Sequence, residues 1–242
     1  MGSRDLKKIL QTMLEAPLSD SQLEKICALP LRPVIGRLFS YFYREEESLL
    51  RWHAITAIGA ATSRLAAVEM EQARNVMRRL IWSLNDESGG IGWGAPEAMG
   101  EIMARCAPLA DEYATLLVSY IDPDGNFIDH NILRRGVLWG IGRLAQVRPE
   151  SVRRAAPFLT SYLTAPDPYL RGLSALSAGY INAIPLKDGV AALTQDSSQI
   201  LLFSNFKLTA TSISELAQQA LSRMDDINKA HPVLACSTKL IN

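Results

Sequence analysis

Arg51-Trp52-His53-Ala54-Ile55-Thr56-Ala57-Ile58-Gly59 returns three times along the chain in altered spelling: as Gly92-Trp93-Gly94-Ala95-Pro96-Glu97-Ala98-Met99-Gly100, as Arg134 to Gly142, and as Arg171 to Gly179. The four stretches align without a gap, and Ile213 to Leu221 is a looser fifth copy. Each begins with arginine or glycine and closes on glycine, at 59, 100, 142 and 179. A spacing of about 40 residues is that of stacked two-helix repeats. Such units bury their apolar faces only against one another, so the pattern predicts an all-α chain, an α-α superhelix of about five to six helical hairpins.

Helix signals recur between the copies. Ser19-Asp20-Ser21-Gln22 and Ser212-Ile213-Ser214-Glu215 have the spacing of capping boxes. Pro108, Pro149 and Pro185 follow the repeat glycines where each stops a helix. The first helices of the pairs read as 34–43, 69–84, 109–120 and 151–163, and their partners as 49–67, 95–106, 130–147 and 169–184. One stretch leaves the helical period: Gln199 to Phe203 and Phe206 to Thr211 are rich in strand formers around Ser204-Asn205, and predict a short β-hairpin near 199–211. The expectation is a single domain over residues 1–242, with repeats clearest over 30–225 and a loosely ordered tail at 226–242.

Lysine plus arginine equals aspartate plus glutamate, 25 of each, which argues against a broad cationic surface for nucleic acid or an anionic membrane. Cys27, Cys106 and Cys236 have neither disulfide-framework nor zinc spacing. With a polar N-terminus and no uncharged segment able to span a bilayer, the chain reads as cytoplasmic. Asp122-Pro123-Asp124-Gly125-Asn126 holds a fragment of a calcium-loop pattern without its later ligands, and reads as a tight turn. No cofactor or metal site is expected.

A first helix carrying proline (Ala155-Ala156-Pro157-Phe158-Leu159), then Asp167, then Arg171 and a small-residue helix resembles the HEAT repeat. Gly189 to Ser222, with Leu193, Asp196 and Glu215 to Leu221, is similar to the bacterial HEAT-like variety first named for phycobilin lyases. The resemblance implies an armadillo-type solenoid. It also implies that Arg51, Arg134 and Arg171 form a ladder tying successive turns through aspartates such as Asp167. The second unit departs from the pattern, with Gly92 in the arginine's place. Repeats of this kind serve scaffolds, lyases and a group of DNA glycosylases, so the resemblance speaks for fold and hardly for activity.

Repetition converts alignment into geometry, because aligned residues form rows across neighbouring second helices about 8–10 Å apart. One such face reads Trp52, Thr56, Ala60; Trp93, Glu97, Glu101; Arg135, Trp139, Arg143; Gly172, Leu176, Tyr180. Ordinary core does not mix aromatic, acidic and basic groups so densely. In a HEAT-like superhelix the second helices line the concave side, which makes this strip the candidate binding face. The loop Asn85 to Gly94, with Gly90 at its centre, holds four glycines in six positions and leads into Trp93 and Glu97. Structural alternatives stand beside each reading: an inter-repeat Glu101–Arg143 ion pair, packing roles for Trp52 and Trp139, dipole compensation by Glu97, and a permissive connector for the loop.

The resulting expectation is a non-enzymatic scaffold that binds a protein or peptide. Trp52, Trp93, Trp139 and Tyr180 serve as apolar anchors, while Glu97, Glu101, Arg135 and Arg143 set polarity. One alternative is a DNA-glycosylase-like solenoid built on Trp93, Glu97, Trp139 and Arg143, against which the neutral charge balance counts. The other is a bilin-lyase-like protein. Oligomeric state is left open by the sequence.

Overall fold

The computed structural model describes residues 3–85 and 92–230. Two short helices, α1 (Ser3–Glu15) and α2 (Asp20–Cys27), precede five inner–outer pairs. The pairs are α3 (Leu31–Leu38) with α4 (Leu49–Ala66), α5 (Met70–Leu84) with α6 (Ala95–Arg105), and α7 (Ala107–Ser119) with α8 (Asn131–Ala145). The fourth sets α9 (Pro149–Val152) and α10 (Ala156–Tyr162) against α11 (Pro168–Tyr180), and the fifth sets α12 (Lys187–Ala192) against α13 (Ile213–Ala230). The inner helices pack in succession, α4 on α6, α6 on α8, α8 on α11 and α11 on α13. This is the α-α superhelix expected from the repeat. The last helix, α13, runs to Ala230, and residues 231–242 of the expected tail lie outside the described residues.

Inner and outer helices differ in how apolar groups are spread. On α5 the buried positions are Ala73, Val76, Met77 and Leu80, one stripe at helical spacing, with Glu71, Arg74 and Arg78 on the outside. On α4 every residue from Arg51 to Gly59 is buried, because the helix is covered on all sides. Proline opens several helices: Pro96, Pro108, Pro149, Pro157 and Pro168 occupy first turns, where no amide hydrogen is needed. Ser212 and Glu215 complete a reciprocal capping box, with Ser212 N donating to Glu215 Oε2 at 2.8 Å and Glu215 N donating to Ser212 Oγ at 3.2 Å. Ser19 accepts from Gln22 N, but the Gln22 side chain turns to the Met13 carbonyl instead of closing its box. Asp122 to Gly125 forms the expected tight turn. Asp129, one residue ahead of the N-cap His130, does not cap α8.

The closing glycines are where inner helices meet. A methyl group added at Gly100 would lie 2.4 Å from Gly140 Cα, and one at Gly59 would lie 2.5 Å from Glu101 Cγ. At Gly179 it would meet Ala220 Cα at 2.6 Å, and at Gly142 the Ser177 hydroxyl at 3.0 Å. Each repeat's last motif residue therefore faces the next inner helix, and the absent side chain sets how near the two come.

Between α12 and α13 the chain forms the hairpin β1 (Gln199–Ser204) and β2 (Lys207–Ser212), antiparallel, in register from Gln199↔Ser212 to Ser204↔Lys207. The turn pair is Asn205-Phe206, one residue later than expected, with φ of 48° and 63°. Left-handed conformation at both positions is what a two-residue turn needs to match strand twist. Residues 86–91 of the glycine-rich loop, Gly90 among them, lie outside the described residues.

Gly100→Ala is expected to destabilise the fold by about 1–3 kcal/mol or more, because backbone atoms oppose the new methyl. Gly36→Ala in α3, with nothing within 4 Å of an added Cβ, is expected to stabilise by about 0.5–1 kcal/mol. Paired urea melts of the two variants check both signs.

Candidate functional site

The hairpin lies across the concave face, and it divides the anticipated strip into a sealed half and an open half. Phe203 stacks on Trp52 with ring centroids 5.0 Å apart and planes 11° from parallel, and Trp52 meets Trp139 at 4.8 Å. Trp139 Nε1 donates to the Phe203 carbonyl at 3.2 Å, and Leu201 N donates to the Tyr169 hydroxyl at 3.2 Å, so side chains satisfy two groups on the outer edge of β1. His53 on α4 is held through Nδ1, 2.7 Å from the Leu14 carbonyl, and its Nε2 edge lies 3.4 Å from the Phe206 carbonyl of the hairpin turn. Trp52 and Trp139 are consequently 7% and 8% exposed. The two tryptophans share one face as the alignment predicts, but a partner within the chain already occupies them.

Beneath the aromatic cluster the charged residues are consumed by one another. Arg51 and Glu97, 2% and 4% exposed, pair at 2.6 Å. Gly136 makes room for that carboxylate, since a methyl there would lie 2.6 Å from Glu97 Oε2. Arg135 donates through Nε to Asp167 at 2.7 Å and through Nη1 to Glu46 at 3.0 Å, and stands 4.5 Å over the Tyr169 ring. Burial raises the Glu46 carboxyl above its ordinary range, opposed by the charges of Arg135 and Arg51. The space left among Trp52, Glu97, Arg135 and Trp139 is a cavity of about 30 Å³, room for about one water.

The arginine ladder differs from the form the resemblance implies. Arg171 does reach forward, to Asp196 at 2.7 Å, and back to the carbonyls of Ala165 and Pro166. The hydrogen bond from Arg171 holds the Asp196 carboxyl down to about 2. Asp167, however, is taken by Arg135 rather than Arg134, which pairs with Asn131 and Asp129, lies over the Phe127 ring and reaches forward to the Tyr162 hydroxyl of α10. Arg51 binds Glu97, a carboxylate on the next inner helix rather than an aspartate in a connecting loop.

Trp93 is not on the strip. Gly94 takes φ 73° immediately before α6, so Trp93 sits ahead of the helix and its position cannot be extrapolated from helical spacing. It packs edge-on to His130 at 5.3 Å and lines a different cleft, with Phe39, Phe42, Tyr43 and Trp82. Trp93, Glu97, Trp139 and Arg143 are thus not assembled around one pocket.

The open half runs toward the C-terminal ends of the inner helices. A cleft of about 620 Å³ is bounded by Trp139 and Arg143 of α8 and its C-cap Gln146, Leu176 and Tyr180 of α11, and the hairpin residues Phe203 to Phe206. Glu101 lies at its base, each carboxylate oxygen taking one guanidinium: Oε1 from Arg105 Nε and Oε2 from Arg143 Nε, both at 2.5 Å. Gln146 donates to the Tyr180 hydroxyl at 3.0 Å, and Arg223 of α13 lies 4.5 Å over the Tyr180 ring. Of the anticipated residues, Glu101, Trp139, Arg143 and Tyr180 line this cleft. Arg105, Gln146, Phe206 and Arg223 were not anticipated. Arg105 was legible as the partner four residues after Glu101, whereas Arg223 and Phe206 arrive by long-range packing that no local pattern announces.

Among known proteins, the chain is 34% identical over 122 residues, half its length, to an uncharacterized protein of Archaeoglobus fulgidus. It spans 57% of the length of that relative. No protein-family model matches it. Two solved structures are similar over nearly the whole chain. An engineered protein superposes with a TM-score of 0.52 at 15% identity, covering 93% of this chain and 98% of its own. A designed armadillo repeat protein gives 0.51 at 14%, covering 92% and 94%. The likeness establishes the fold, an armadillo-type α-solenoid. Among the described residues no helix is long and apolar enough to cross a membrane.

Two outcomes follow from these charges. Arg51→Met leaves Glu97 buried without its cation and should cost about 3–5 kcal/mol, while Arg51→Met with Glu97→Leu should recover most of that loss; chemical denaturation of both separates the cases. Asp196→Asn should lower stability by about 1 kcal/mol at pH 7. Because the folded carboxyl titrates below its unfolded value, this difference is present above about pH 4 and fades as pH falls through about 2. Thermal melts across that range are the check.

Proposed function

We propose that this protein is a repeat scaffold which holds a short segment of a partner polypeptide in the open half of its concave face. The supporting observation is the cleft of about 620 Å³, within the usual range of about 300–1,000 Å³ for ligand sites. Its lining joins an aromatic wall, Trp139, Phe203, Phe206 and Tyr180, to the polar groups of Arg143, Gln146 and Ser204. Tyrosine, tryptophan and arginine are the side chains that most often dominate interface energies. The sealed half acts as support, with Phe203 stacked on Trp52 and bordered by Trp139 so that the hairpin wall keeps its place. The resemblance to the phycobilin-lyase variety carries repeat type and no activity.

Selection of a random displayed-peptide library on the full chain tests this. Selected peptides should bind about tenfold more weakly to Tyr180→Ala, a loss of about 1.4 kcal/mol. They should be unaffected by Arg78→Ala on the outer helix α5. Failure to select any peptide, or equal binding to Tyr180→Ala and the unaltered protein, overturns the proposal.

A further inference from the structure

The open cleft is unbalanced in charge. Arg105, Arg143 and Arg223 line it against the carboxylates of Glu101 and Asp20. Glu101 is already committed, with both oxygens taken and its side chain 4% exposed, so it cannot meet a ligand. Each of the two arginines it holds gives it only the Nε hydrogen of five available donors, and Arg143 adds one long contact of 3.4 Å to Gln146. The Arg105 and Arg143 side chains remain 26% and 23% exposed. Held through Nε by one buried anchor, the two guanidinium planes are oriented in advance, which reduces the entropy lost when their outer nitrogens bind an anion. Arg223 is steadied in turn by Tyr180 and by its Nη1 bond to the Gln219 carbonyl.

We propose that the segment this cleft receives is acidic, a glutamate- or aspartate-bearing stretch of a partner polypeptide whose carboxylate is taken by the Arg105–Arg143 pair, with Arg223 and Tyr180 alongside. This rests on the peptide-binding reading above and adds the chemistry of the peptide. Three arginines less two carboxylates leave a single positive charge facing the cleft. That suits a carboxylate, which carries one negative charge, better than a phosphate, which carries close to two.

The peptides selected on the full chain decide the matter. They are expected to be enriched in Asp and Glu, to lose about tenfold in affinity when those residues become Asn and Gln, and to lose as much on Arg223→Gln or Arg143→Gln. Arg143→Lys should rescue only part of the loss, since it keeps the charge without the fork. Thermal melting verifies that each variant is folded, and Arg223→Gln removes no ligand of buried Glu101. Affinity should fall as salt rises. Peptides that depend on Tyr180 but are neutral or basic, or that tolerate Glu→Gln, overturn this inference and leave the peptide-binding reading standing. Competition by millimolar inorganic phosphate where equimolar acetate has no effect overturns the carboxylate assignment. Absence of any cleft-dependent peptide removes both proposals.

Discussion

Everything in this structure depends on how closely the inner helices approach one another. Gly59, Gly100, Gly142 and Gly179 each lie against the next inner helix, and at Gly100 the neighbour is the backbone of a second glycine, Gly140. Backbones brought so near leave little room for side chains between α6 and α8, so the larger groups of those helices are displaced to the two sides. On one side Met99 and Ile102 join the apolar core; on the other Glu97 and Glu101 are presented to the concave face. A carboxylate in that position is tolerable only with a cation beside it, and Arg51, Arg105 and Arg143 supply it. The sealed and open halves of the concave face are thus both downstream of a steric rule.

The hairpin turns a curved surface into a site with walls. Without it, Trp52 and Trp139 would form an exposed aromatic patch; with it, they grip Phe203 and a cleft remains only past the turn. Phe206 holds a left-handed backbone conformation costly for an aromatic residue. It is kept there by the two-residue turn that the strand register imposes.

The architecture was legible because one motif carries two messages, a helical period and a closing glycine whose absent side chain marks the interhelical contact. The same alignment correctly brought Trp52, Glu97, Trp139 and Arg143 to inner helices. It failed for Trp93, where Gly94 reverses the backbone before the helix starts, and for Arg134, whose neighbour Arg135 makes the longer reach to Asp167. The strands at 199–211 were readable from their residues, but their docking was not. Which surface a hairpin covers depends on contacts far apart in sequence, and Phe203 carries no local sign that its partners are tryptophans at 52 and 139.

Open solenoids grow or shrink by whole units, since each unit touches only its neighbours. Here side chains of the first and last pairs meet directly, Trp52 lying on Phe203 with ring centroids 5.0 Å apart. The stacking of Trp52 on Phe203, which ties the first pair to the last, makes the number of units a fixed quantity: inserting or deleting one would carry Phe203 away from its tryptophan socket. It also means that the first and last units cannot melt separately at no cost to each other, so the array should unfold less like a row of beads and more like a buckled belt.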